Sequence, residues 1–126
     1  MQLSRELPDY TYSLRAADGR QAKVNDRVLT HSFILAPNQL IEDWPVRSLA
    51  ELTAGHLNAA LELNPALVIL GTGEQQVFPP AAVLAACLTR GIGIEVMNNA
   101  SAARTFNVLA AEDRKVVAAF ILENGS

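Results

Sequence analysis

The chain has 126 residues, half of them hydrophobic and 18% charged, which is enough to bury a core without staples and too apolar for a solvated, disordered segment. Ten basic against thirteen acidic side chains give a net charge of −3, and the scattered Lys and Arg exclude a broad phosphate-binding surface, so no nucleic acid is expected as partner. A lone cysteine, Cys87, excludes an internal disulfide and a Cys-based zinc site, and the longest strongly apolar run, Pro79 to Leu88, falls short of the roughly 20 residues of a bilayer helix.

With a polar start that lacks a signal-peptide core, these features predict one cytoplasmic domain over residues 1–126 and no membrane span. Met1 to Tyr10 shows neither structural period and is expected to cross the surface without a function. Tyr10, Tyr12 and Leu14 alternate as in a strand, and Ala17-Asp18-Gly19-Arg20 supplies turn chemistry. Val24 to Leu35, with Val28, Phe33, Ile34 and Leu35, reads as one or two strands. Ala36-Pro37-Asn38-Gln39 turns the chain into a returning strand, Leu40 to Trp44, that Pro45 ends. The first third is therefore antiparallel β.

The period then changes. Leu49, Leu52, His56, Leu57, Ala60, Leu61 and Leu63 recur at helical spacing behind Ser48 or Thr53, with a break near Gly55 and a stop at Asn64-Pro65. Ala66 to Leu70 is an unbroken apolar run, as expected of a strand covered on both faces, and Gly71-Thr72-Gly73 ends it. Pro79 and Pro80 suit the start of a helix, because the first turn needs no amide donors. That helix, Ala81 to Leu88, is apolar nearly all round, which predicts burial on two sides by the domain's own layers or by a second subunit. Ile92 to Met97 is a strand, and Asn98 and Asn99 both suit the cap of a helix over Ala100–Leu109 with Ala103, Phe106, Leu109 and Ala110 on one stripe. Lys115 to Leu122 is the last strand, of open direction. The alternation of strands and helices implies α/β layering with at least one right-handed crossover.

The most specific local feature is Val68 to Glu74, a buried strand ending in two glycines. Strand carboxyl ends are where open α/β sheets hold ligands, and glycines let backbone amides approach an anion. The dinucleotide fingerprint fails at Gln76, and no P-loop Lys-Ser/Thr follows, so Gly71 and Gly73 read either as a sharp strand exit or as a small-anion site. A second strand end meets a helix start at Met97-Asn98-Asn99, with Arg104 and Asn107 three apart on one helix face. These residues cap and brace the helix, or they line one cleft with the glycine loop. The candidate binding surface is therefore Gly71, Thr72, Gly73, Glu74, Asn98, Asn99, Arg104 and Asn107.

His31 and His56 lack a nearby carboxylate partner, Cys87 sits on an apolar helix, Ser101 has no nucleophile-elbow glycines, and Glu74 and Glu95 have no second acid or base. Trp44 beside Pro45 reads as an edge-strand Trp packed by a loop or as an interface anchor. No hydrolase triad, metal cluster or redox pair emerges, so no catalytic residue, metal or cofactor is assigned.

The stretch Phe33 to Trp44, then Gly71-Thr72-Gly73, the Pro79-Pro80 helix start, Gly91-Ile92-Gly93-Ile94-Glu95-Val96-Met97 and Ala103-Arg104-Thr105-Phe106-Asn107-Val108-Leu109 together resemble a small domain-of-unknown-function family. That family is typified by an archaeal methanogen protein and includes mitochondrial complex I assembly factor 3. The resemblance covers nearly the whole chain, and the ordered succession is more specific than any single motif. It implies a three-layer α/β fold with a mixed central sheet, helices and an additional N-terminal antiparallel β layer. It supplies no catalytic residues. Family members commonly carry Thr where this chain has Asn99 and Tyr where it has Phe106, which keeps a capping group and a ring but removes a phenol hydroxyl. The resemblance implies a non-enzymatic protein-interaction module whose partners are respiratory-complex subunits or assembly factors. The alternative is a small-anion or metabolite-binding enzyme using the same cleft, with helix-start amides and Arg104 holding a carboxylate or phosphate.

Overall fold

The computed structural model describes residues 11–123. The surface segment expected over Met1 to Tyr10, and the Tyr10 start of the first strand, lie outside them. Within the described residues the first strand is β1 (Leu14–Ala17), so it begins where the alternation predicts its end. It pairs antiparallel with β2 (Ala22–Val24), which pairs antiparallel with β3 (Arg27–Leu29). Asn25 turns β2 into β3 at φ +53°, a left-handed conformation that Asn tolerates. The stretch from Val24 to Leu35 is therefore divided between two sheets.

The second sheet begins with the hairpin β4 (Phe33–Ala36) and β5 (Gln39–Ile41), joined through Pro37-Asn38 as the turn residues predict. The order of this five-stranded sheet is β5-β4-β8-β6-β7, with β6 at Leu67–Gly71, β7 at Gly93–Met97 and β8 at Val116–Phe120. The direction left open by the sequence is settled: β8 is antiparallel to β4 and parallel to β6, and β7 is also parallel to β6. The sheet is mixed, as the resemblance implies.

Its two faces carry separate apolar clusters. On one, Ile34, Val68, Leu70, Val117 and Ala119 pack under α1 (Asn58–Leu61), α2 (Ala81–Leu88), Trp44 and Val46. On the other, Phe33, Leu35, Ile69, Ala118 and Phe120 meet α3 (Asn99–Ala111), through Ala102, Ala103, Phe106 and Ala110, and the small sheet, through Leu14, Val24 and Leu29. Phe33 and Phe120 stack with centroids 4.9 Å apart. This gives the three layers, with the small sheet beside α3 as the added β element.

Three expectations change. The helix expected behind Ser48 or Thr53, with a break near Gly55, is two 3₁₀ turns, Leu49–Glu51 and Ala54–Leu57, followed by one turn of α-helix. Thr53 restarts the chain there, its N–H donating to His56 Nδ1 at 3.0 Å, and 3₁₀ turns place Leu52 and Leu57 inward as well as a helix would. Trp44 lies beyond β5, not on it, and is buried, with Nε1 donating to the His56 carbonyl at 2.9 Å. Helix α2 buries Val83 and Cys87 on one side only.

Candidate functional site

Strand β6 ends at Gly71, whose register partners are Met97 of β7 and Phe120 of β8. The loop after it and the start of α3 meet over this end of the sheet. Asn98 caps α3, its side chain accepting from the Ser101 amide at 2.8 Å. Asn99 is the first helical residue and is fully buried. Its Oδ1 accepts from the Gly73 N–H at 3.0 Å, while its Nδ2 donates to the carbonyls of Asp18 at 2.9 Å and Ile121 at 3.0 Å. Its own N–H donates to the Gly73 carbonyl at 2.8 Å. One carboxamide thus joins the β1–β2 turn, the β6 loop and the exit of β8. A Cβ on Gly71 would overlap Asn99 Oδ1 and lie 3.1 Å from the Phe120 ring, so the missing side chain is what admits the carboxamide.

The other candidates attach to this hub or stand apart. Thr72 Oγ1 donates to the Gln75 carbonyl at 2.6 Å and accepts from the Val77 amide at 3.1 Å, which curls the loop onto itself. Gly73 supplies φ +106°, a conformation side chains resist. Glu74 Oε2 accepts from the Gly19 amide at 2.9 Å, with Gly19 packed so closely that a Cβ there would come within 2.6 Å of Glu74 Cγ. Asn107, two turns down α3, works as a surrogate strand: its Oδ1 accepts from the Leu14 N–H at 2.9 Å and its Nδ2 donates to the Leu14 carbonyl at 2.7 Å. Arg104 is exposed and its Nη2 donates to Ser101 Oγ at 3.2 Å. The structure therefore brings Gly71, Thr72, Gly73, Glu74, Asn98 and Asn99 together and leaves Asn107 and Arg104 lower on the helix.

Sequence reasoning missed Asp18, Gly19 and Ile121 as members of this hub. The Asp18-Gly19 turn is legible locally, but its partner Asn99 lies 81 positions away, and nothing in either segment names the other. Asp18 also accepts from the amides of Arg20 and Gln21 at 2.8 and 2.9 Å, and these two bonds hold its carboxyl below the usual range. A lowered carboxylate stabilises the fold above its unfolded-state value, and that contribution is lost as pH falls through the folded one. We therefore expect the Asp18 carboxyl, followed by NMR, to titrate below the usual carboxylate range. A midpoint at the ordinary value would mean that the turn does not hold its two amide bonds in solution.

The chemical capacity of the hub is narrow. Three of the amides at this end, those of Gly19, Gly73 and Ser101, each donate to a side chain of the protein itself. Two clefts lie elsewhere and contain none of the candidate residues. One, of about 310 Å³, is lined by Pro37, Leu63, Pro65, Ala110, Arg114 and Lys115, and one of about 950 Å³ by His31, Ser32, Asp43, Trp44, Arg47 and Leu122. His31 is exposed between β3 and β4, and Cys87 is buried, which pushes its thiol pKa up. Among the described residues no group of His, Cys, Asp and Glu is placed to hold a metal ion, and no helix is long and apolar enough to cross a membrane.

Comparison with known proteins agrees with this architecture. A solution structure of a Xanthomonas campestris protein is 60% identical and superposes with a TM-score of 0.84, covering 100% of this chain and 96% of that one. The 13 kDa major membrane protein of Francisella tularensis subsp. holarctica (strain LVS) is 30% identical over 87 residues, 68% of this chain and 71% of that protein. NADH dehydrogenase (ubiquinone) 1 alpha subcomplex assembly factor 3 of Homo sapiens is 30% identical over 121 residues, which are 94% of this chain but span only 65% of that protein's length. A family model matches residues 14–121, β1 to just past β8, and the chain therefore belongs to the family described as protein of unknown function (DUF498/DUF598), the family of the assembly-factor resemblance.

Proposed function

We propose that this chain is a non-enzymatic, cytoplasmic protein-interaction module that assists the building of a respiratory complex, its partners being subunits of that complex or other assembly factors. The observation that carries this reading is how the chain's own side chains sit at the mouth of the crevice. At the carboxyl ends of β6 and β7, where an open α/β sheet would receive a small ligand, the Asn99 carboxamide takes the Gly73 amide and the Glu74 carboxylate takes the Gly19 amide of the adjoining turn. The similarity to complex I assembly factor 3 supplies the direction, and the fold alone would not.

The contact surface runs from the end of the molecule framed by Gly71, Thr72, Gly73, Asn98 and Asn99 down α3 to Asn107. It is presented through Glu74, Arg104 and the exposed Val108 one turn further along α3. The framing residues hold backbone, so substituting them perturbs structure as well as contact. The clean test uses the outward side chains. Affinity capture of the tagged chain from its native host should recover respiratory-complex subunits or their assembly factors, and Arg104→Glu with Val108→Asp should lose them while thermal unfolding stays unchanged. Equal recovery by the double variant would remove this surface. Recovery of no respiratory protein, together with phosphate-induced NMR shifts at the Gly73 and Ser101 amides, would remove the reading in favour of a small-anion site.

A further inference from the structure

The small sheet and helix α3 share one outer surface. The inner side of the sheet, Leu14, Ala22, Val24 and Leu29, is buried on the core. Its outer side is shaped by a bulge in β1: Leu14 stands opposite Val24 and Ala16 opposite Lys23, so Arg15 is the extra residue, and Arg15 and Ala16 are both exposed beside Lys23. Lys23 is paired in turn with Val28 of β3. Helix α3 lies along the free edge of β1 and antiparallel to it, since Asn99 reaches Asp18 at one end and Asn107 reaches Leu14 at the other. Arg15 is therefore abreast of the middle of α3, where Arg104 stands, three residues before Asn107 and on its side of the helix. The Asn107 carboxamide closes the seam, because it takes both the N–H and the carbonyl of Leu14.

Across this surface run Val28, Lys23, Arg15, Arg104 and Val108, three cations between two valines that are each 56% exposed. Cations elsewhere have acids beside them. Arg27 pairs with Glu42 and Arg47 with Glu51, and Arg114 and Lys115 follow directly on Glu112 and Asp113. Among the described residues Arg15, Lys23 and Arg104 have no carboxylate within ion-pair distance. The acids that border the surface, Asp18 and Asp26, sit in the turns at the two ends of β2, and the Asp18 carboxylate is turned onto the amides of Arg20 and Gln21. A chain of net charge −3 thus keeps an unpaired positive strip on one face.

We propose that this strip receives an acidic segment of a partner protein, with its carboxylates on Lys23, Arg15 and Arg104 and an apolar side chain against Val28 or Val108 at either end. The inference rests on the proposed interaction function and gives the chemistry of its partner, since Arg104 and Val108 belong to that contact surface. Charge selects the occupant. Three cations that no acid of the described chain neutralises match a segment of opposite sign, and two of them are Arg, whose planar fork holds a carboxylate through two parallel bonds. The surroundings select a peptide over other polyanions. An anionic lipid surface is bound by clusters of about four to eight Lys and Arg, and a broad anionic surface would press on Asp18 and Asp26 at the two margins. A segment laid across the strands passes between those two turns and meets a valine where its charges end.

The test is an NMR titration of the whole chain with a synthetic peptide of about eight alternating Asp and Glu residues closed by Leu at each end. Saturable shifts are expected at Arg15, Lys23 and Arg104, and none with the same peptide carrying Asn and Gln for its acids. Arg15→Glu with Lys23→Glu should weaken binding at least about tenfold while thermal unfolding stays unchanged, and raising salt from ~50 to ~500 mM should weaken it likewise. Arg114→Glu with Lys115→Glu should bind as the wild type does. A titration without saturable shifts overturns the proposal, as does binding weakened equally by the Arg114 and Lys115 pair. Phosphatidylglycerol vesicles that hold the strip against excess peptide also overturn it, assigning the face to a membrane surface. Capture from the native host separates this inference from the function beneath it. Respiratory proteins lost by Arg104→Glu with Val108→Asp but retained by Arg15→Glu with Lys23→Glu overturn the acidic segment and leave the function standing. Peptide binding at the strip with no respiratory protein captured supports the acidic-segment site and removes the function.

Discussion

Asn99→Ala is expected to lower the unfolding free energy by about 3–5 kcal/mol, the largest single loss available outside the apolar clusters. The substitution removes little volume. Its cost lies in what it leaves behind: the Gly73 N–H and the carbonyls of Asp18 and Ile121, each facing a site from which the carboxamide has gone. A buried polar group without a partner costs about 1–3 kcal/mol, whereas the bond itself contributes nearer 1. Urea unfolding should show the midpoint falling with the slope unchanged. Asn99→Thr, the residue that relatives are expected to carry here, should fall between the two, because one hydroxyl can accept from Gly73 and donate to one carbonyl only. A loss below about 1 kcal/mol for the Ala variant would mean that water enters and the hub is looser than its geometry.

Gly71→Ala is expected to cost about 2–4 kcal/mol by a different route. Here a methyl group enters a space already filled by Asn99 Oδ1 and the Phe120 ring. A flexible side chain would swing aside, but three hydrogen bonds pin this one and the stack on Phe33 limits the other. The two substitutions are therefore coupled. In an Asn99→Ala background Gly71→Ala should cost at least about 1 kcal/mol less than in the wild type, and a strictly additive double variant would show that the clash is with Phe120 instead. Gly73→Ala makes the comparison sharper. No atom stands near its absent Cβ, so it should register only the strain of φ +106°, about 1–2 kcal/mol.

How much of this was legible depends on the range of each interaction. Local chemistry reads well: the apolar run from Val68 to Leu70 is a buried interior strand, Pro80 opens α2, Asn98 caps α3, and Pro37-Asn38 makes the hairpin turn. Periodicity misleads where two conformations satisfy it. Leu49, Leu52 and Leu57 recur at spacings that 3₁₀ turns serve as well as an α-helix, and only Thr53 with His56 marks the restart. The candidate site was legible as a set of residues and illegible as an arrangement. Asn99 is indistinguishable from a second cap until Asp18 and Ile121 are brought to its amide from the two ends of the chain. Asn107 looks like a helix-surface amide until β1 lies alongside it.

Strand β8 has a bearing on how the protein is made. It occupies the middle of the five-stranded sheet, hydrogen-bonded to β4 on one side and β6 on the other, yet it is the last strand among the described residues. During synthesis the β4–β5 hairpin and the β6–β7 pair emerge from the ribosome as halves with an open slot between them. They cannot close until Phe120 has left the exit tunnel. Until then Ile34, Leu35, Val68 and Ile69 stand bare along that slot. Folding of this sheet is therefore dominated by contacts distant in sequence, a slow class. A nascent chain stalled before Val116 should be bound by ribosome-associated chaperones and cleaved readily by protease, and one extended by a linker long enough to carry Leu122 clear of the exit tunnel should escape both.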